Sequence, residues 1–97
     1  EGFLNPMVLR TFAAYMHEHR HQKDGSVRAS DNWQKGIPID KYAKSLIRHT
    51  MDFWCAHRGG IVRDPDTGDV AKIRDLLCAI LFNAMGYLKE DPGQPKE

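Results

Sequence analysis

One polar segment of the chain holds three residue types that a nucleotide site needs. Asn32, Trp33 and Lys35 lie in a stretch bounded by Gly36 and Pro38. They supply a hydrogen-bonding amide, a flat apolar face for a base and a positive charge for a phosphate. Because Trp is usually well buried, the same residues also fit a surface loop whose Trp33 covers a small core.

A second candidate cluster is expected on one face of a helix. His49 and Asp52 are three residues apart, so their side chains can converge on one point, and Arg48 adds a cation beside them. His49 also shares a stripe with apolar residues. A structural role in the core or at an interface is therefore the alternative for this histidine.

A third group interrupts the apolar sequence near the carboxyl end of the chain. Lys72 and Asp75 are one helical turn apart, and Asn83 follows in an apolar run. Polar groups on such a helix need partners, since each unpaired buried group costs about 1–3 kcal/mol. Asp75 could pair with Arg48 or Arg74, and Asn83 could cap a neighbouring group.

His17 and His21 are four residues apart, a spacing at which two imidazoles on a helix can share a metal ion. No further ligand is identifiable nearby, and a charged helix end is commonly just solvated. Arg20 and Lys23 could instead reach a phosphate.

Composition excludes several classes of protein. The 97 residues carry a net charge of only +1, which gives no field strong enough to dictate nucleic-acid binding. No apolar run approaches the roughly 20 residues of a membrane span. Cys55 and Cys78 lie in apolar helical patterns, which indicates reduced core thiols and a cytoplasmic protein. There is no Walker or dinucleotide-type glycine loop and no nucleophile elbow.

Apolar periodicity predicts an all-α fold. We expect three main helices in a single domain over residues 1–90, followed by a disordered tail over 91–97. The helices are expected at about residues 5–21, 40–58 and 70–89.

Local signals mark the ends of these helices. Asn5 and Pro6 are typical of an N-cap and a first helical residue. Asp40 is the expected N-cap of the second helix, and Gly59 and Gly60 are expected to end it.

The apolar surface of the helices exceeds what three helices can bury among themselves. The second helix has two apolar flanks, one with Tyr42, Leu46 and Phe53 and the next with Ala43, Ile47 and Trp54. The third helix is apolar nearly all round, with an expected apolar side of Ile73, Leu77, Ile80, Leu81, Ala84 and Leu88. Such excess favours a homo-oligomer that completes a helical bundle, although a monomeric three-helix bundle remains the alternative.

Residues from about 10 to 90 resemble a known family, with the most specific match in the first half of that range. The matching residues are Ser30-Asp31-Asn32-Trp33-Gln34-Lys35-Gly36, Tyr42, Ser45-Leu46, Arg48-His49, Trp54 and the run from Asp75 to Ala84. The family is the dATP/dGTP diphosphohydrolase-like domains of phages and bacteria, which are loosely related to the MazG-like all-α nucleotide pyrophosphohydrolases.

The resemblance implies Mg²⁺-assisted hydrolysis of a purine (deoxy)nucleoside triphosphate to monophosphate and pyrophosphate. The wider family holds its metal with an ExxE pair and an ExxD pair on two packed helices. The positions here that match are His49-x-x-Asp52 and Lys72-x-x-Asp75. Asp52 and Asp75 keep the second carboxylate of each pair, whereas His49 and Lys72 depart from the first. Mg²⁺ prefers oxygen ligands, so this departure puts turnover in doubt.

These observations assign a role to each candidate residue. Trp33 would stack on the base, while Asn32, Lys35, Arg48, Lys72 and Asn83 would contact the nucleotide. Asp52 and Asp75 would hold Mg²⁺, with His49 as a ligand or proton acceptor. The alternatives are a phage protein that sequesters a nucleotide without turnover, with Lys72 neutralising phosphate, and a helical adaptor that binds another protein. Neither a membrane nor a nucleic acid is an expected partner.

Overall fold

The computed structural model describes residues 2–19 and 36–93. The chain divides into two compact units, residues 1–35 and 36–97. The fold is all-α, as the periodicity predicts, and its helices are α1 (Pro6–Glu18), α2 (Ile39–His57) and α3 (Ile73–Glu90). Among the described residues, no helix is both long enough and apolar enough to cross a membrane.

The first unit contains α1, whose start follows the local signal in the sequence. The Asn5 side chain accepts hydrogen bonds from the backbone N–H groups of Met7 (2.9 Å) and Val8 (3.3 Å). Pro6 is the first helical residue, where its missing N–H costs no hydrogen bond. The predicted helix start is confirmed, while its predicted end at residue 21 lies outside the described residues.

The start of α2 differs from the prediction. Pro38 is the N-cap residue, and no side chain caps the helix. Asp40 lies within the first turn, where its carboxylate still faces the positive end of the helix dipole. The predicted end is confirmed: Arg58 is the C-cap, and Gly59 follows with a φ of 91° that glycine adopts without strain.

The loop between α2 and α3 closes on itself and delays the start of α3. Arg63 and Val70 form an isolated antiparallel bridge, and the N–H of Ala71 donates to the carbonyl of Val62 at 2.7 Å. Lys72, which follows this pairing, is also extended, with φ −84° and ψ 142°, so it is the N-cap rather than a helical residue. The third helix therefore starts at Ile73 rather than near residue 70.

The core of the second unit lies between α2 and α3. Tyr42 of α2 is only 1% exposed, and its ring packs on Gly86 and on the ring of Phe82, with ring centroids 5.9 Å apart. The buried residues of α3 are Leu76, Cys78, Ala79, Asn83 and Gly86.

The apolar side of α3 expected from the sequence is therefore, for the most part, not the face that packs on α2. Ile73, Leu77, Leu81 and Leu88 are exposed, although Ile80 and Ala84 are half-buried. On a helix that is apolar nearly all round, close approach decides which face packs. Ala79 and Gly86 are small and let α2 come near, which the larger side chains do not.

Cys55 and Cys78 are both free in the structure. Cys78 is buried as expected, but Cys55 is exposed. The predicted tail begins with a short turn, in which the N–H of Gly93 donates to Asp91 Oδ1 at 3.2 Å. Residues 94–97 lie outside the described residues.

Candidate functional site

The packing of α2 on α3 fixes which residues of the two helices lie level with each other. The helices are antiparallel, and Tyr42 lies opposite Gly86. Because both helices rise by about 1.5 Å per residue, Asp52, ten residues beyond Tyr42, falls level with Leu76, next to Asp75. A rotation of about 100° per residue puts Asp52 about 80° around α2 from the direction of Tyr42. The same rotation puts Asp75 about 20° around α3 from the direction of Gly86, on the same side, so helix geometry places the two carboxylates toward one edge of the helix pair.

Asp52 is half-buried and Asp75 is exposed at this edge. Asp75 makes no ion pair with Arg48 or Arg74 among the described residues, so the structural alternative for this carboxylate is absent there. Lys72 is the exposed N-cap residue of α3, and its side chain makes no capping hydrogen bond. Both charged groups remain available to a ligand.

His49 lies between this edge and the core. Its Nδ1 atom is buried and has no hydrogen-bond partner among the described residues, while its Nε2 lies 3.5 Å from a guanidinium nitrogen of Arg48. Burial lowers the pKa of His49, and the charge of Arg48 lowers it further, against the opposing effect of Asp52. The imidazole therefore favours the neutral form, which can accept a proton.

Asn83 is buried in α3, and its side-chain amide donates to the carbonyl of Ala79 at 2.8 Å. This bond is the capping role considered for Asn83 on sequence grounds. This hydrogen bond uses one of the two N–H groups of the Asn83 amide and does not involve its side-chain oxygen. The three loop candidates, Asn32, Trp33 and Lys35, lie outside the described residues.

His49, Asp52 and Asp75 supply few oxygen ligands for Mg²⁺. Within the described ranges, no group of three or more His, Cys, Asp or Glu is arranged to hold a metal ion. His49, Asp52 and Asp75 therefore do not form one cluster. Two carboxylates at one edge nevertheless fit an ion that is held by one or two protein oxygens together with substrate phosphates and water.

The predicted histidine cluster of the first unit is only partly described. His19 Nδ1 lies 2.9 Å from the Tyr15 carbonyl, and the two rings stack with centroids 3.9 Å apart. His21 lies outside the described residues, so the proposed sharing of a metal by His17 and His21 stays a prediction.

Trp54 and Arg58 contact each other on the opposite side of α2, a contact that is not among the sequence-based predictions. The guanidinium carbon of Arg58 lies 5.7 Å from the centre of the Trp54 ring, within the range of a cation–π interaction. The four-residue spacing of these two residues on a helix was the available signal.

The fold is all-α, and α2 and α3 form an antiparallel helix pair. Compared with known proteins, the chain matches no family model, no curated protein and no solved structure.

Proposed function

We propose that this protein handles purine (deoxy)nucleoside triphosphates and hydrolyses them to monophosphate and pyrophosphate. The observation that carries the proposal is the contact of Tyr42 with Gly86, from which we infer, by helix geometry, that Asp52 and Asp75 lie near one level of the α2–α3 pair. The sequence resemblance implies a carboxylate pair on each of two packed helices, and this chain keeps one carboxylate of each pair, Asp52 and Asp75. The proposed location is the cytoplasm, where free thiols such as those of Cys55 and Cys78 persist.

Asp52 and Asp75 would hold Mg²⁺ in this proposal. The ion would supply charge neutralisation for the phosphates and a more acidic water molecule. Arg48, exposed on α2 beside this edge, would bind phosphate oxygens through its guanidinium group. Asn83 is buried in the helix pair and donates to the Ala79 carbonyl, so it is left out of the proposed site.

The neutral imidazole of His49 is suited to accept the proton of an attacking water molecule. Burial lowers the pKa of His49, so more of the imidazole is neutral, the form in which a general base accepts a proton. Its neighbour Asp52 partly opposes the shift and would stabilise the protonated imidazole. Trp33, Asn32 and Lys35 are proposed as contacts to base, sugar and phosphate on sequence grounds alone.

A second candidate function is nucleotide binding without turnover. The absence of a three-ligand cluster among the described residues favours it, as does the exposed ammonium group of Lys72 at the start of α3. A helix N-terminus already attracts anions, and Lys72 would add a full positive charge there. Binding would then be independent of metal.

The two candidates are separated by one set of incubations. The purified protein is mixed with Mg²⁺ or Mn²⁺ and a panel of dNTPs and NTPs, and the products are resolved by ion-exchange chromatography. Hydrolysis predicts monophosphate plus pyrophosphate from a purine nucleotide. Asp52→Asn and Asp75→Asn should each abolish this product without loss of helicity, whereas Glu18→Gln, an exposed carboxylate of α1, should not.

Intact triphosphates throughout would contradict the hydrolase proposal for these substrates. Calorimetric titration with the same nucleotides in EDTA then tests the second candidate, which predicts binding that Lys72→Ala weakens. Absence of binding in that titration would contradict nucleotide handling and leave a protein-binding adaptor.

A further inference from the structure

One side of α2 is apolar, exposed and turned away from α3. Tyr42, Leu46 and Phe53 face α3 and are buried or half-buried. About half a turn around the helix, the side chains of Ile47, Met51 and Trp54 are 63%, 67% and 56% exposed. We call this side the outer face of α2; it consists of Asp40, Ala43, Ile47, Met51, Trp54 and Arg58.

The residues of this outer face are arranged symmetrically about position 49. Asp40 lies nine residues before this position and Arg58 nine residues after it. Ile47 and Met51 lie two residues before and after. Small Ala43, six residues before, corresponds to large Trp54, five residues after. When two copies of this face meet with their helices antiparallel, opposite charges lie together and large residues lie against small ones.

We propose that the outer face of α2 binds the same face of a second copy of this chain. The two α2 helices would run antiparallel, with a twofold axis passing beside residue 49. An interface of this kind is isologous: each contact between two residue types occurs twice, once on each side of the axis.

The twofold arrangement gives every residue of the face a suitable partner. Ile47 packs on Met51 of the other copy at the centre. Trp54 covers Ala43 of the other copy, on the same side of the interface. Asp40 meets Arg58 of the other copy about 13 Å along the helix from the axis, given a rise of about 1.5 Å per residue. Contact at that distance requires a crossing angle near 20°, because a wider crossing separates the helix ends.

The free charges at the ends of the face support this choice of partner. Within the described part of the chain, Asp40 has no ion-pair partner, and it is exposed on the first turn of α2. Arg58 lies over Trp54 at the other end, so its charge is held at the rim of the apolar surface. A parallel pair would instead place Asp40 on Asp40, Arg58 on Arg58 and Trp54 on Trp54.

The mass in solution is the first test, measured by sedimentation equilibrium over a range of concentrations. The wild-type chain should be a dimer. Ile47→Glu puts a charge at the centre of the face and should give a monomer with an unchanged far-UV circular dichroism spectrum. Leu88→Glu is the matched control, because Leu88 is 55% exposed on α3 and lies outside the face. A monomeric wild-type chain, or equal effects of the two variants, would overturn the proposal.

The ion pair gives a second test of the same interface. Asp40→Arg and Arg58→Asp should each weaken dimerisation by about threefold to tenfold, since each puts like charges together. The double variant restores opposite charges and should dimerise more tightly than either single variant. Additive weakening in the double variant would contradict the antiparallel contact.

Cross-linking tests the orientation of the helices directly. In the antiparallel pair, residue 44 of one copy lies near Cys55 of the other, on the same side of the interface. In the presence of oxidised glutathione, the Lys44→Cys variant should therefore form a disulfide-linked dimer. The double variant Lys44→Cys/Cys55→Ser should not form one. In the wild-type dimer, Cys55 of one chain should not form a disulfide with Cys55 of the other, because these two residues lie about 18 Å apart along the helices. A Cys55–Cys55 link in the wild type would show a parallel pair and overturn the proposal. All three tests read association rather than turnover, so they are independent of the nucleotide proposal.

Discussion

The ring of Tyr42 packs directly on the backbone of Gly86, and a Cβ atom added at Gly86 would overlap the Cε1 and Cζ atoms of that ring. This contact sets the distance between α2 and α3. It also sets the register that brings Asp52 level with Asp75. The candidate site therefore depends on a glycine that carries no chemistry of its own.

Gly86→Ala should destabilise the protein even though alanine is the better helix former. The added methyl group would overlap the ring of Tyr42, which is 1% exposed. Overpacking of this kind costs about 1–3 kcal/mol, against a gain of about 1 kcal/mol in helix propensity. Urea unfolding followed by circular dichroism measures the net loss. In a Tyr42→Leu background, Gly86→Ala should cost less free energy of unfolding. An equal cost in both backgrounds would show that the effect of Gly86→Ala does not arise from its contact with Tyr42.

The pKa of His49 predicts a loss of stability on mild acidification. The folded chain holds this pKa below its ordinary value of 6.5, mainly by burial and then by the charge of Arg48. The unfolded chain therefore binds the proton more readily, so the stabilising effect is complete above about pH 6.5 and declines as the pH falls toward the folded pKa. Unfolding free energies at pH 7.5 and 5.5 measure the decline.

His49→Gln should remove part of that pH dependence. His57→Gln is the control, since His57 is exposed and lies two turns further along the same helix. An identical pH dependence in the wild type and in His49→Gln would mean that another group is responsible. Arg48→Ala should leave a smaller decline than the wild type shows, because one of the two causes of the shift is gone.

Asp64 organises the loop that leads into α3. Its Oδ1 atom accepts hydrogen bonds from the N–H groups of Asp66 (2.7 Å) and Thr67 (3.2 Å). Asp64→Ala removes both and should lower the free energy of unfolding by about 0.5–2 kcal/mol, the range seen when a capping side chain is lost. Asp64→Asn keeps an acceptor at this position and should be close to wild type. Equal losses in the two variants would point to the charge rather than to the hydrogen bonds.

The sequence by itself determined the features that depend on neighbouring residues. Asn5 and Pro6 start α1 because an amide acceptor and a residue without an N–H suit the first turn of any helix. Gly59 ends α2 because only glycine takes a positive φ there without strain. The two apolar flanks of α2 also follow from its 3.6-residue period.

Only the tertiary structure decided which face of α3 is buried and where that helix begins. Because α3 is apolar on nearly every side, its sequence does not indicate which face is buried. The close approach of Tyr42 to Gly86 determines that face. The start at Ile73 follows from the pairing of Arg63 with Val70, a contact across the loop that helical periodicity does not register. The level position of Asp52 and Asp75 arises in the same way, since the spacing within each helix says nothing about how one helix slides along another.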